Sequence, residues 1–148
     1  MSCRCEVWRV GAEASTRNDC LMKDFHELIV WDRAHKLALE IYACTRDFPK
    51  DEQYGLTSQM RRAASSIPTN IAEGSGRGSQ ADFARFLVIA IGSASELEYE
   101  LILSRDLNLI PDPEFRRLTN EVVSVRKMLI TLARKINPRG FQHPTSSS

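Results

Sequence analysis

Residues 54–74 read Tyr54-Gly55-Leu56-Thr57-Ser58-Gln59-Met60-Arg61-Arg62-Ala63-Ala64-Ser65-Ser66-Ile67-Pro68-Thr69-Asn70-Ile71-Ala72-Glu73-Gly74. Leu56, Met60, Ala63, Ala64, Ile67 and Ile71 recur mostly at spacings of three and four, the stripe of a helix buried along one side. It starts after Gly55, with Thr57 or Ser58 placed to cap it, and ends around Gly74. Pro68 falls inside this helix. A proline there removes the hydrogen bond to the Ala64 carbonyl and costs about 3 kcal/mol unless compensated. The expectation is a kink, with Ser65 or Ser66 satisfying the freed backbone. Beside the apolar stripe, Gln59, Arg62, Ser66, Asn70 and Glu73 form a polar line that suits an interfacial hydrogen-bond network or a solvated flank equally well.

Working outward, glycine and proline divide the chain into further helices. Trp31, Ala34, Leu37, Ala38, Ile41, Tyr42 and Phe48 predict a first helix that ends before Pro49. After the turn Gly74-Ser75-Gly76-Arg77-Gly78, Ser79-Gln80-Ala81-Asp82 resembles a capping box with Asp in place of Glu. The third helix runs from there to about Leu107 on a core stripe of Phe83, Phe86, Leu87, Ala90, Ala94, Leu97 and Leu101. Val88, Ile89, Ile91, Ile102 and Leu103 project in other directions. A helix apolar on most of its circumference needs cover on more than one side, so self-association is expected, with Ile89 and Leu103 at the interface. Asp112-Pro113 opens a fourth helix as cap and first helical residue, and Phe115, Leu118, Val122, Val125, Leu129, Leu132 and Ile136 carry it to Pro138. No stretch alternates as a strand does. Four amphipathic helices on short connections predict an all-α, antiparallel up-and-down four-helix bundle.

The bundle is expected over residues 22–139. Residues 1–21 are polar and aperiodic and read as a disordered or spurious leader ahead of Met22, and residues 140–148 read as a disordered tail. The 148 residues, 43% hydrophobic and 26% charged, suit one domain. No apolar run approaches the roughly 20 residues that cross a bilayer, and no secretory signal pattern opens the chain. A cytoplasmic protein without membrane contact is therefore expected. Cys3, Cys5, Cys20 and Cys44 lack zinc-site spacing and read as free thiols, with Cys44 packed on a helix face. No metal and no cofactor is expected.

Catalysis finds little support. His26, His35 and His143 are scattered, and Glu96, Glu98 and Glu100 read as a solvated acidic segment in which Glu98 points about 200° away from the other two. The glycine-rich turn follows a helix, not a strand, and lacks the Gly-Lys-Ser/Thr ending of a phosphate loop, so it reads as a linker. Charge by segment says more. Lys+Arg 20 nearly balances Asp+Glu 19, yet residues 113–139 hold seven basic side chains against Glu114 and Glu121. Arg116, Lys127 and Arg134 fall on one line opposite the apolar stripe of the fourth helix, flanked by Arg117 and Lys135 and interleaved with Asn120, Ser124 and Thr131. That face suits a nucleic-acid phosphate backbone. The alternative is a helix end enriched in cations that complement its dipole.

Residues 54–74, together with Val30-Trp31, Ala34-His35-Lys36-Leu37 and Glu96-Leu97-Glu98, strongly resemble a bacterial four-helix-bundle family first noticed as open reading frames in intervening sequences of 23S ribosomal RNA genes. The likeness covers residues 25–136. It implies a four-helix protomer assembled as a ring-like homopentamer, with no established enzymatic activity and no catalytic residues to carry over. A similar accessory protein of diversity-generating retroelements is basic and acts with a reverse transcriptase and nucleic acid. This chain, at a formal net charge of +1, departs from that basic type.

The expected function is therefore a non-enzymatic, homo-oligomeric accessory factor that binds RNA or DNA through its fourth helix. The alternative is a protein-binding scaffold with no nucleic-acid contact, its partner being a reverse transcriptase or another protein. Removing residues 1–21, which carry no apolar stripe to dock, should leave the thermal melting midpoint unchanged. A drop of several degrees on truncation at Met22 would show that the segment packs on the core.

Overall fold

The computed structural model describes residues 24–140, so the leader and tail assignments lie outside the described residues, apart from Gly140. Four α-helices follow one another: α1 (Ile29–Cys44), α2 (Leu56–Ser75), α3 (Gln80–Asp106) and α4 (Asp112–Ile136). Single 3-10 turns lie at Phe25–Glu27, Thr45–Asp47 and Lys50–Glu52, and the described residues contain no β-strand. Each helix packs against two others, α1 on α2 and α4, and α3 on α2 and α4. Across each seam the numbering rises on one helix and falls on its neighbour: Arg62 meets Glu96 and Ser66 meets Ser93, while Arg33 meets Glu121 and Glu40 meets Arg117. The helices are thus antiparallel to their neighbours, as the short connections demand.

The core is the sum of the stripes. Val30, Leu37 and Ile41 of α1, Met60, Ile67 and Ile71 of α2, Leu87, Leu97 and Leu101 of α3, and Leu118, Val122, Val125 and Leu129 of α4 are all buried. Ala63 and Ala64 on α2 and Ala90 and Ala94 on α3 are buried in the same core. Phe83 and Phe86, expected in the core stripe, are half-buried because they lie over the end of α2.

Several helix ends differ from the sequence reading. The first helix stops at Cys44, and the chain tightens into a 3-10 turn before Phe48, which is held extended by the following proline. Neither Thr57 nor Ser58 caps α2. Gly55 holds the cap position, and the Glu52 carboxylate accepts the Leu56 N–H at 3.3 Å, supplying an anion at the positive helix end. α2 continues through buried Pro68 to Ser75, one residue past the expected turn start at Gly74. Ser65 and Ser66 do not reach the Ala64 carbonyl: Ser65 Oγ donates to the Arg62 carbonyl and Ser66 Oγ pairs with Ser93. Thr69 and Asn70 side chains instead donate to the Ser65 and Ser66 carbonyls around the proline. Ser79 does cap α3, accepting the Asp82 N–H, and α4 begins at Asp112, one residue early, because the Phe115 N–H already bonds the Pro111 carbonyl.

The α2–α3 corner is the tightest place in the bundle. Gly74 is buried, and a Cβ there would lie 2.7 Å from Phe86 Cβ and 2.9 Å from Phe83 Cδ2. Gly78 completes the turn with φ of 69°, a conformation that favours glycine. Gly74→Ala should therefore destabilise the bundle by roughly 1–3 kcal/mol through overpacking, despite alanine's better helix propensity. Urea unfolding reads this directly, and a stabilised variant would show that the corner has room.

Candidate functional site

Burial of Leu118, Val122, Val125, Leu129 and Leu132 turns the opposite side of α4 outward. Arg116, Lys127, Arg134 and Lys135 are exposed, and the helical rise spreads Arg116 to Arg134 over about 27 Å. Asn120 and Thr131 are exposed between them, Ser124 is half-buried, and the Thr131 hydroxyl donates to the Lys127 carbonyl at 2.9 Å. Arg117 is exposed but engaged. Its guanidinium donates to Glu40 of α1 at 2.7 Å and lies 3.5 Å from Glu114, and the Glu40 hydrogen bond raises its pKa above the ordinary value. Arg126 pairs with Glu98 of α3, and Glu121 accepts from Arg33 of α1 at 2.7 Å. Both acids of this segment are thus drawn into pairs, which leaves the outer line dominated by cations.

The polar line on α2 lies along the α2–α3 seam. Arg62 pairs with Glu96 at 3.1 Å, Ser66 shares a hydrogen bond with Ser93 at 2.9 Å, and Asn70 donates to Ser66 Oγ at 3.0 Å. Gln59 is exposed, and Glu73 pairs with Arg77 at the end of the helix. Arg62 and Ser66 therefore join α2 to α3, whereas Asn70 and Glu73 bond within their own stretch of chain. The Glu96, Glu98, Glu100 segment is not a solvated run either: one residue faces α2, one faces α4 and one is buried.

The outward side of α3 keeps the apolar surplus. Val88, Ile89, Tyr99 and Ile102 are exposed, Ile89 at 47%. Leu103 is half-buried against the core, so a charge there strikes packing as well as the outer face. His26 pairs with Asp24, His35 stacks on Trp31 at 5.3 Å, and no group of three His, Cys, Asp or Glu side chains placed to hold a metal ion occurs among the described residues. Burial pushes the Cys44 thiol up to about 11, so it stays protonated at neutral pH.

Sequence reasoning missed Glu100. It is 3% exposed, and neither carboxylate oxygen has a hydrogen-bond partner among the described residues. Burial pushes its pKa up to about 7, with nearby Glu96 adding to the shift and Arg62 opposing it. The i, i+4 relation to Glu96 put it on the α2 side, but its burial depends on the depth of the seam. In the unfolded chain the group loses its proton near pH 4.5, whereas the folded chain holds it to about 7, so stability falls between those values and levels off above them. Glu100→Gln should be stabilising on the order of 2 kcal/mol at pH 8 and close to neutral below pH 4.5. Unfolding titrations at the two pH values measure the difference; an equal effect at both would place the carboxyl in water.

Comparison with known proteins agrees with this architecture. A solved structure from Bacteroides thetaiotaomicron, a protein of unknown function from the S23 ribosomal protein family, is similar with a TM-score of 0.65 and 28% sequence identity, over 72% of this chain and 99% of that chain. Comparison with curated proteins gives no match. The model of the family described as 23S rRNA-intervening sequence protein matches residues 26–131, from the turn before α1 to the last turns of α4, and the chain belongs to that family.

Proposed function

We propose that the protein is a non-enzymatic, self-associating bundle that acts in the cytoplasm as a nucleic-acid-binding accessory factor, with phosphates held on the outer face of α4. The observation that carries the reading is the exposed line Arg116, Lys127, Arg134 and Lys135, beside which the acids Glu114 and Glu121 are engaged by Arg117 and Arg33. A near-neutral chain can in this way present a cationic face. A few cations on one protomer hold a polyanion weakly, and a homo-oligomer multiplies them through effective concentration. The family's name, which refers to ribosomal RNA, is in keeping with such a partner. The exposed apolar residues of α3 supply the surface for association, and the resemblance of residues 54–74 points to a five-fold ring.

Light scattering should give a multiple of the 16.8 kDa protomer mass, five-fold on this reading, and Ile89→Asp should reduce it while leaving helicity intact. A monomer at micromolar concentration overturns the association. Replacing Arg116, Lys127 and Arg134 together by Ala should weaken RNA or DNA binding roughly tenfold at moderate salt and lower the salt slope by about 0.7–0.9 per lost contact, without changing oligomer size. Absence of retention on RNA and on single- and double-stranded DNA at low salt overturns nucleic-acid binding and leaves the protein-binding scaffold in its place.

A further inference from the structure

The outward side of α3 carries a narrow seam with coiled-coil spacing. Val88, Gly92, Ser95, Tyr99 and Ile102 follow one another at alternating steps of four and three, and all five are exposed within the described residues. Gly92 costs helix stability where it stands, and nothing among the described residues requires it, since a Cβ there would meet no described atom within 4 Å. On a different face of the bundle, α1 and α2 leave an open groove lined by Trp31, Leu39 and Tyr42 from α1 and by Ser65, Pro68 and Ala72 from α2. Leu39 is 58% exposed at its edge. Small residues from α2 and large ones from α1 form a trough that accepts a helix ridge.

We infer that self-association is head-to-tail: the α3 seam of one copy seats in the α1–α2 groove of the next. This rests on the association proposed above and names the two surfaces that meet. The groove from Trp31 to Tyr42 rises about 16 Å, which takes the Val88 to Tyr99 part of the seam and leaves Ile102 beyond its end. The heights agree. Arg62 beside Glu96, Ser66 beside Ser93 and Gly74 beside Phe86 fix the level of α3 against α2 within a protomer. Rotation about an axis parallel to the helices keeps those levels from copy to copy. Arg85, just ahead of the seam, then arrives level with Glu73 at one end of the groove, and Glu96 arrives level with Arg61 at the other. Opposite charges therefore meet at both ends, where they extend the pairs Arg85–Asp82, Arg77–Glu73 and Arg62–Glu96 already made within each copy, whereas reversing the docked helix would bring Arg85 beside Arg61 and Glu96 beside Glu73. A contact between two different faces closes into a ring or continues as an open row; it does not stop at a two-fold dimer.

Two exposed positions block one face each, Gly92→Arg on the seam and Leu39→Asp on the groove, with Leu39→Lys separating charge sign from lost apolar contact. Each variant alone should keep the wild-type helicity and sediment as a monomer, with a melting midpoint lowered only by the loss of assembly. An equimolar mixture of Gly92→Arg and Leu39→Asp should form a complex of twice the protomer mass and nothing larger, because the mixture retains a single intact pair of faces. Three results would overturn the inference: Leu39 variants that keep the wild-type mass, a Gly92→Arg variant that keeps it, or a mixture that stays monomeric. Assembled wild type with unaffected Leu39 variants defeats the head-to-tail contact alone, whereas monomeric wild type defeats the association itself.

Discussion

The close approach of α2 and α3 is the constraint on which the remaining structure depends. Ala63 and Ala64 on one helix and Ala90 and Ala94 on the other keep the axes near, and buried Gly74 lets the first turn of α3 lie against the end of α2 with Phe83 and Phe86 folded over it. Once the axes are this close, polar side chains on the flank cannot stay in water. Ser66, Ser93 and Asn70 satisfy one another, and Glu100 is trapped without a partner. The same approach rotates α3 so that its core stripe points inward and its second apolar stripe is left facing out.

The α3 helix therefore has three distinct sides. One is buried in the core, one is made of the two flanks that Glu96 pins to α2 and Glu98 to α4, and one has no cover among the described residues of its own protomer. Exposed aliphatic and aromatic groups in line at helical spacing carry an interfacial cost in water that a second surface removes. The cationic face of α4 lies elsewhere, so the proposed assembly through α3 and the proposed phosphate contact through α4 would not compete for the same side chains.

Much of this was legible in the sequence because glycine, proline and the apolar period act locally. The stripes of Met60, Leu97 and Val125 and the boundaries near Gly55, Gly74 and Asp112 follow from spacing and backbone chemistry alone. So did the divergent direction of Glu98 and the surplus of Val88 and Ile89. A helical wheel gives a side chain's angle about its own axis, but not what stands at that angle or how deep the seam is. That is why Glu100 read as solvated, and why Arg117, aligned with the cationic face, is drawn to Glu40 of another helix. The cap of α2 was missed for a related reason: the Glu52 carboxylate comes from a preceding turn whose path has no periodicity to read.

The ion pairs between helices have a consequence for topology. Four helices joined up-and-down can circle their core clockwise or anticlockwise, and both hands bury the same apolar stripes. What differs is which flank of each helix meets which neighbour. On α3, Glu96 lies on the α2 side and Glu98 on the α4 side; on α4, Arg126 turns toward α3 while Arg117 and Glu121 turn toward α1. In the opposite hand these flanks would exchange, and every one of the four pairs would be lost together. Each exposed pair contributes only about 0.2–1 kcal/mol to stability, but their joint loss in the mirror arrangement sets the two hands apart. The apolar stripes determine that a bundle forms, and the charged flanks select its hand.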